Sequence, residues 1–163
     1  MVTKAFVFDF DDTLATTTAK IHIYTLPDRL LVGKVSPQQF SSYKLKEGEV
    51  FDFSEFRQDK FIHAAEPTFL IGLAKEVYRE GHHIFILTAR EDDSTDAISA
   101  FLERYEIKAK TIYCVGGKNS IAEKKREMLL NIMCSYDKVY YYDDNVDNIR
   151  LAPSGTNIRK YQI

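Results

Sequence analysis

Three aspartates and a threonine directly follow an apolar run near the start of the 163-residue chain. The run extends from Ala5 to Phe10, and the polar group at its end comprises Asp9, Asp11, Asp12 and Thr13. Carboxylates crowded at the end of a buried strand cost free energy unless a cation or hydrogen-bond donors compensate them. The pattern therefore predicts a metal-dependent site, and the chemistry we expect there is phosphoryl transfer to an aspartate.

The elements that must position these residues can be read from the hydrophobic pattern. The run from Ala5 to Phe10 is continuous and ends in acid, as in a central parallel strand. Further strands are predicted at 83–87, 111–115, 138–142 and 157–161, and helices at 67–80, 95–105 and 120–133. Strands that alternate with helices pair in parallel through right-handed crossovers. The sequence thus predicts one α/β domain over residues 1–163, built on a three-layer, Rossmann-like parallel sheet.

Polar residues at the carboxyl ends of these strands should meet, because ligands bind at that edge of an open parallel sheet. Besides the first group, they are Thr88 and Arg90 after one strand, Asp143 and Asp144 after another, and Lys124 and Lys125 in the first turns of a helix. A flexible lysine side chain can reach back from a helix to the same edge. We therefore expect one constellation rather than several separate turns.

The ordered set Asp-x-Asp-x-Thr, Thr, Lys and Asp-Asp resembles the four motifs of the haloacid dehalogenase (HAD) superfamily of phosphatases, and it spans nearly the whole chain. It is most similar to members with a small insertion after the first strand, including the phosphatase domain of polynucleotide kinase-phosphatases. The resemblance implies an enzyme, a phosphoric monoester hydrolase that works through an aspartyl-phosphate. It also implies Mg²⁺ as the cofactor, which suits hard oxygen ligands.

The same resemblance assigns roles to individual residues. Asp9 would be the nucleophile, and Asp11 would be the general acid and then the general base. The phosphate-binding residues would be Thr88, Arg90 and Lys124, and Lys124 would also offset the charge of the nucleophile. The metal ligands would be Asp9, the backbone carbonyl of Asp11, and Asp143 or Asp144. Whether Lys124 or its neighbour Lys125 is the motif lysine is left open.

Asp12 departs from the family pattern, since glycine usually follows the second motif aspartate. Aspartate tolerates turn conformations better than most residues, so catalysis is compatible with it. It adds a negative charge near the site.

Residues 15–65 are predicted to form a small cap insertion, here called the cap segment. Segments 21–24 and 29–35 read as a hairpin, and Ser36-Pro37 reads as a helix start. By the resemblance, such an insertion covers the site and selects substrates. It is too short to enclose a large cavity, so either a partner subunit completes it or the site stays open to a bulky substrate. Phe51, Phe53 and Phe56 could stack a base, although their composition favours packing against the core.

The expected substrate is a phosphorylated nucleotide, a nucleic-acid end or a small phosphorylated metabolite. Two non-catalytic classes compete with this reading. A phospho-receiver module carries its phosphorylated aspartate after a middle strand, whereas the strand at 111–115 here ends in Gly116-Gly117. A silent binding scaffold is disfavoured because Asp9 and Asp11 are both retained.

The composition of the chain bears on its binding partners and its cellular location. A formal charge of −2 provides no whole-surface field for nucleic acid or anionic membrane. Two cysteines are too few for a disulfide framework, no apolar run reaches transmembrane length, and no signal peptide precedes the first strand. We therefore expect a cytoplasmic location without a membrane partner.

Overall fold

The computed structural model describes residues 2–163 of the chain. Its strands, in chain order, are β1 (Ala5–Phe8), β2 (Ala15–Thr16), β3 (Ile21–Thr25), β4 (Leu30–Val35), β5 (Glu49–Asp52), β6 (Glu66–Pro67), β7 (His83–Thr88), β8 (Thr111–Cys114), β9 (Val139–Asp143) and β10 (Ile158–Gln162). Its helices are α1 (Pro37–Phe40), α2 (Asp59–His63), α3 (Leu70–Arg79), α4 (Thr95–Glu103), α5 (Ile121–Met133) and α6 (Val146–Leu151).

Five strands form the central sheet in the order β10-β9-β1-β7-β8, and every neighbouring pair is parallel. The predicted α/β fold is therefore confirmed. Strand β1 lies in the middle, between β9 and β7. The three strands that end at the candidate residues are thus adjacent, and their carboxyl ends lie at one edge of the sheet.

Alternation along β1 explains why helices cover both faces of this sheet. Phe6 and Phe8 belong to a core that includes the buried side of α3 and α4. Ala5 and Val7 point to the other face, in a core that includes Leu129 and other buried residues of α5. Because side chains alternate across a strand, a strand buried on both faces reads as a continuous apolar run.

The cap segment forms an antiparallel sheet in the order β4-β3-β5, together with α1 and α2. The structure adds β5 and α2 to the hairpin and helix that the sequence predicts. Ser36 caps α1 by accepting a hydrogen bond from the Gln39 N–H, and Pro37 follows it. The short strands β2 and β6 pair with each other where the segment leaves and rejoins the core. This pairing fixes both ends of the cap segment at the same place.

Among residues 2–163, no helix is long and apolar enough to cross a lipid bilayer.

Candidate active site

The loop after β1 is a tight turn held by one carbonyl. The Phe10 carbonyl oxygen accepts hydrogen bonds from the N–H groups of Thr13, Leu14 and Ala15. Asp12 lies within this turn in the left-handed region, at a φ of 59°. Glycine adopts that conformation at the least cost, and aspartate is among the other residues that tolerate it. The backbone thus explains why glycine would be usual at this position and why aspartate can replace it.

Lys125 connects the loop after β1 to the end of β9. Its Nζ donates to Asp9 Oδ1 at 2.9 Å and to Asp143 Oδ2 at 2.7 Å, and all three residues are buried. Burial alone would lower the pKa of the Lys125 ammonium, but the two carboxylates outweigh burial and raise it. Lys125 therefore remains a cation at neutral pH, in direct contact with the predicted nucleophile.

Lys124 lies elsewhere: of the two lysines that the sequence left open, Lys125 and not Lys124 contacts Asp9 and Asp143. Its Nζ donates to the carbonyl oxygens of Val115 and Gly116, each at 3.2 Å. The buried residues of α5 are Lys125, Leu129 and Ile132. These positions share one helix face, because residues four and seven apart overlay along the helix axis. Lys124 is rotated by about 100° from that face, and its ammonium contacts neither carboxylate.

Asp143 is fully buried and its carboxylate is already occupied. Besides Lys125, its oxygens accept hydrogen bonds from the Tyr141 hydroxyl at 2.5 Å, the Asn145 N–H at 2.9 Å and the Asn148 amide at 3.1 and 3.2 Å. A carboxylate with these donors holds Lys125 in place but has little capacity left for another ligand. Asp144, by contrast, is half-buried and lines the adjoining cavity.

Sequence reasoning missed Tyr141 and Asn148 as parts of this network. Tyr141 precedes Asp143 by two residues in β9, so both side chains lie on the same face of the strand. That spacing was a usable signal. Asn148 lies in α6, a helix that the sequence analysis did not predict and that begins after its N-cap residue, Asn145.

Arg90 forms a bidentate salt bridge with Asp11. Its Nε and Nη2 each donate to a different Asp11 oxygen at 2.8 Å. The remaining nitrogen, Nη1, donates to the Phe56 carbonyl of the cap segment at 2.5 Å, and the guanidinium lies 5.2 Å from the centre of the Phe56 ring. The structure thus places Arg90 on Asp11 and the cap rather than free to receive a phosphate. To bind substrate phosphate, as the resemblance implies, Arg90 would have to exchange Asp11 for it.

Thr88 ends β7 and is fully buried. Its Oγ1 accepts a hydrogen bond from the Arg90 N–H at 3.2 Å. Ala89 and Arg90, the next two residues, line the cavity. In this conformation Thr88 supports the backbone of the loop, and its predicted contact with phosphate stays a prediction.

Negative charge at the site exceeds positive charge. The carboxylates of Asp9, Asp143 and Asp144 place oxygens within 4.8 Å of one another, and Lys125 is the ammonium that contacts two of them. Burial raises the pKa of Asp9 well above its usual value. Lys125 opposes that shift, while the neighbouring carboxylates add to it. Burial and Asp143 likewise raise the pKa of Asp144. A divalent cation would relieve this repulsion, so the donor set fits Mg²⁺. Asp9 and Asp144 accept fewer hydrogen bonds than Asp143 and are therefore the better candidates to hold it.

Asp12 also lies in this negatively charged environment, and its raised pKa should make the stability of the protein depend on pH. Burial, followed by Asp144 and Asp11, raises the pKa of Asp12 to about 6. The unfolded pKa is about 3.9, so the stability tied to protonated Asp12 is complete below that pH and is lost as pH rises towards 6. We expect Asp12→Asn to stabilise the metal-free protein by about 1 kcal/mol at pH 7.5, after allowance for solvent screening. The gain should fall by half or more at pH 4.5.

Thermal unfolding with chelator present, followed by circular dichroism across this pH range, measures the effect. Asp28→Asn changes an exposed aspartate of the cap segment and serves as the control. An Asp12→Asn gain that is equal at both pH values would contradict the assignment.

A cavity of about 650 Å³ lies between the carboxyl edge of the sheet and the cap segment. Its core side is lined by Asp9, Asp11, Lys125 and Asp144 among others. Its cap side is lined by Ile21, Pro37, Phe40, Phe53, Phe56 and Arg57. A volume of this size is in the range that holds whole small-molecule ligands. The candidate nucleophile therefore faces a space large enough for a substrate.

No protein-family model matches the chain, and no curated protein matches it in sequence. Solved structures do match its fold. A haloacid dehalogenase-like hydrolase from Streptococcus pneumoniae is 19% identical at a TM-score of 0.54, with 97% of this chain and 83% of that one covered. A HAD-superfamily hydrolase of subfamily IA from Geobacter sulfurreducens is 12% identical at a TM-score of 0.56, with coverages of 98% and 94%. These likenesses show that the chain has the fold of HAD-superfamily hydrolases.

Proposed function

We propose that the protein is a magnesium-dependent phosphomonoesterase that works through an aspartyl-phosphate on Asp9. The observation that carries this proposal is the contact of buried Asp9 with the Lys125 ammonium at the wall of a substrate-sized cavity. A carboxylate held beside a fixed cation is preorganised for attack on phosphorus, because the cation offsets the charge of the nucleophile and the phosphate. The fold of HAD-superfamily hydrolases supports the same class of reaction by analogy.

Magnesium would be held by Asp9, Asp144 and the backbone carbonyl of Asp11. When bound, it would supply charge neutralisation for the phosphoryl oxygens. Asp143 would not contact the metal directly, because its oxygens already accept hydrogen bonds from Lys125, Tyr141 and Asn148. We assign Asp143 to positioning Lys125, and Asp144 to direct contact with the metal.

The two chemical steps use the carboxyl groups of Asp9 and Asp11. An Asp9 oxygen forms a bond to phosphorus while the bond to the leaving oxygen breaks, and protonated Asp11 gives its proton to that oxygen. Asp11 then takes a proton from water, whose oxygen attacks phosphorus and releases phosphate from Asp9. Lys125 holds the nucleophile throughout, and Thr88 is the candidate donor to a phosphoryl oxygen.

Arg90 determines where the proton-transferring group lies. A carboxylate whose two oxygens both accept from one guanidinium is held in a fixed plane. To act as an acid, Asp11 must release one of these contacts and carry a proton. We propose that a phosphate entering the cavity competes for one arm of Arg90. This exchange would reconcile the observed pair with the phosphate contact that the resemblance implies.

A phosphatase assay on the wild-type protein tests the function. We expect turnover of phosphomonoesters that requires Mg²⁺, is lost with chelator and returns when Mg²⁺ is restored. Acid quenching during turnover should trap a phosphorylated protein. Stoichiometric labelling without turnover would instead favour a receiver-like module. Absence of both labelling and turnover across nucleotides, nucleic-acid ends and small metabolites would overturn the proposal.

A further inference from the structure

The two sides of the cavity differ sharply in chemistry. The core side presents the carboxylates and Lys125, whereas the cap side presents Pro37, Phe40, Phe53 and Phe56. A phosphate group satisfies the polar side. It leaves the apolar side to be covered by another part of the same substrate, and that part must be apolar or planar.

Phe53 is the most solvent-exposed phenylalanine of the cap segment. It is 39% exposed although its neighbours Phe40 and Phe56 are half-buried. The Phe53 ring centre lies 5.4 Å from that of Phe40 and 6.5 Å from that of Phe56, and both pairs are steeply inclined. The three rings therefore support one another at the wall of the cavity. A ring held in this way loses little conformational freedom when another ring packs on it.

Hydrogen-bonding groups are scarce on this wall. Of the described cap residues that line the cavity, Arg57 alone has a polar side chain, and it is exposed. A sugar phosphate would bring hydroxyl groups against phenylalanine, where their lost bonds to water would not be replaced. A planar base needs no such partner, because stacking on an aromatic ring is available to every base. The wall therefore favours a ring and discriminates little among bases.

Charge argues against a long nucleic-acid strand. Arg90 is paired with Asp11, and Lys125 with Asp9 and Asp143, which leaves Arg57 and Lys118 as the other cations lining the cavity. Asp12 and Glu91 line it as well, and the exposed residues Asp92 and Asp93 follow Glu91. A polynucleotide groove needs a track of cations along the phosphate backbone. Two exposed cations beside an acidic loop do not form one.

We propose that Phe40, Phe53 and Phe56 form a subsite for an aromatic ring in the leaving group. The substrates are then free nucleoside monophosphates rather than polynucleotide ends or sugar phosphates. This inference rests on the proposed phosphomonoesterase activity. The shared chemistry is a phosphomonoester that carries a planar ring, and the assay below separates nucleotides from simple aryl phosphates.

The assay compares adenosine and uridine 5′-monophosphates with ribose 5-phosphate, in which a hydroxyl group replaces the base. Phenyl phosphate and a 5′-phosphorylated oligonucleotide complete the set. We expect kcat/KM for both nucleotides to exceed that for ribose 5-phosphate at least about 10-fold, and to exceed that for the oligonucleotide and phenyl phosphate. The two nucleotides should differ from each other only a few-fold.

Phe53→Ala should lower kcat/KM for the nucleotides roughly 5- to 100-fold, mainly through KM, and leave ribose 5-phosphate nearly unchanged. Phe53→Tyr should restore the wild-type preference, whereas Phe53→Leu should not. Phe69→Ala removes a phenylalanine that is 78% exposed and serves as the control. It should leave kcat/KM unchanged for the nucleotides and for ribose 5-phosphate.

The subsite would be overturned if Phe53→Ala lowered kcat/KM equally for the nucleotides and for ribose 5-phosphate. It would also be overturned if the wild-type protein had equal kcat/KM for adenosine monophosphate and ribose 5-phosphate. Preference for phenyl phosphate would overturn the nucleotide assignment, and preference for the oligonucleotide would overturn the exclusion of polynucleotides. If no ester is hydrolysed, the proposed activity fails instead. Calorimetric binding of adenosine monophosphate and ribose 5-phosphate to the wild-type protein and to Phe53→Ala then tests the subsite independently of turnover.

Discussion

Lys125→Met is expected to reduce phosphatase activity by a factor on the order of 10³ and to destabilise the fold by about 3 kcal/mol. Methionine has similar length and keeps the packing, so the change isolates the ammonium. Its loss leaves the carboxylates of Asp9 and Asp143 buried and adjacent with no cation between them. Initial rates at saturating Mg²⁺ and urea unfolding measure the two effects.

Lys124→Met is the matched control, one residue away on the same helix. Lys124 donates only to the carbonyls of Val115 and Gly116, so its loss should cost about 1 kcal/mol or less and change activity a few-fold at most. Magnesium should raise the unfolding temperature more in Lys125→Met than in wild type, because a cation then relieves a larger repulsion. If Lys124→Met were the more damaging of the two, the helix register at the site would have been misassigned.

Asp9→Asn is expected to abolish turnover, with a loss of at least about 10⁴-fold, and to prevent acid-stable phosphorylation of the protein. An amide is a poor nucleophile and a poor ligand for a hard cation, so affinity for Mg²⁺ should fall as well. Rapid-quench labelling and magnesium titration calorimetry give the two readouts.

Asp137→Asn makes the same chemical change at an exposed residue just before β9, at the opposite edge of the sheet from Asp9. It should leave activity, labelling and magnesium affinity as in wild type. Residual labelling of Asp9→Asn at the wild-type level would show that another residue takes the phosphoryl group.

Much of this site was accessible from the sequence, because strand ends in a parallel sheet converge. The runs that end near Asp9, Thr88 and Asp143 predicted three strands whose polar ends meet at one edge, and these strands are neighbours in the sheet. The choice between Lys124 and Lys125 was also accessible. Counting back by seven and four from the apolar residues Ile132 and Leu129 reaches position 125.

Other features depend on three-dimensional contacts that no local pattern encodes. Asp11 and Arg90 are 79 positions apart, and their pairing depends on how two loops meet above the sheet. Strand β5 was missed because its two apolar residues are flanked by acids, and its pairing with β3 determines the structure instead. Phe53 follows β5 and lines the cavity, whereas its composition alone favoured packing against the core.

Because Arg90 contacts the Phe56 carbonyl and Asp11 simultaneously, the cap segment is linked to Asp11, the proposed proton-transfer group. Grafting a different insertion onto this scaffold would remove one of the anchors of the guanidinium. New selectivity obtained by such grafting should therefore come with slower leaving-group departure, unless the graft presents an acceptor oxygen where the backbone at position 56 now lies.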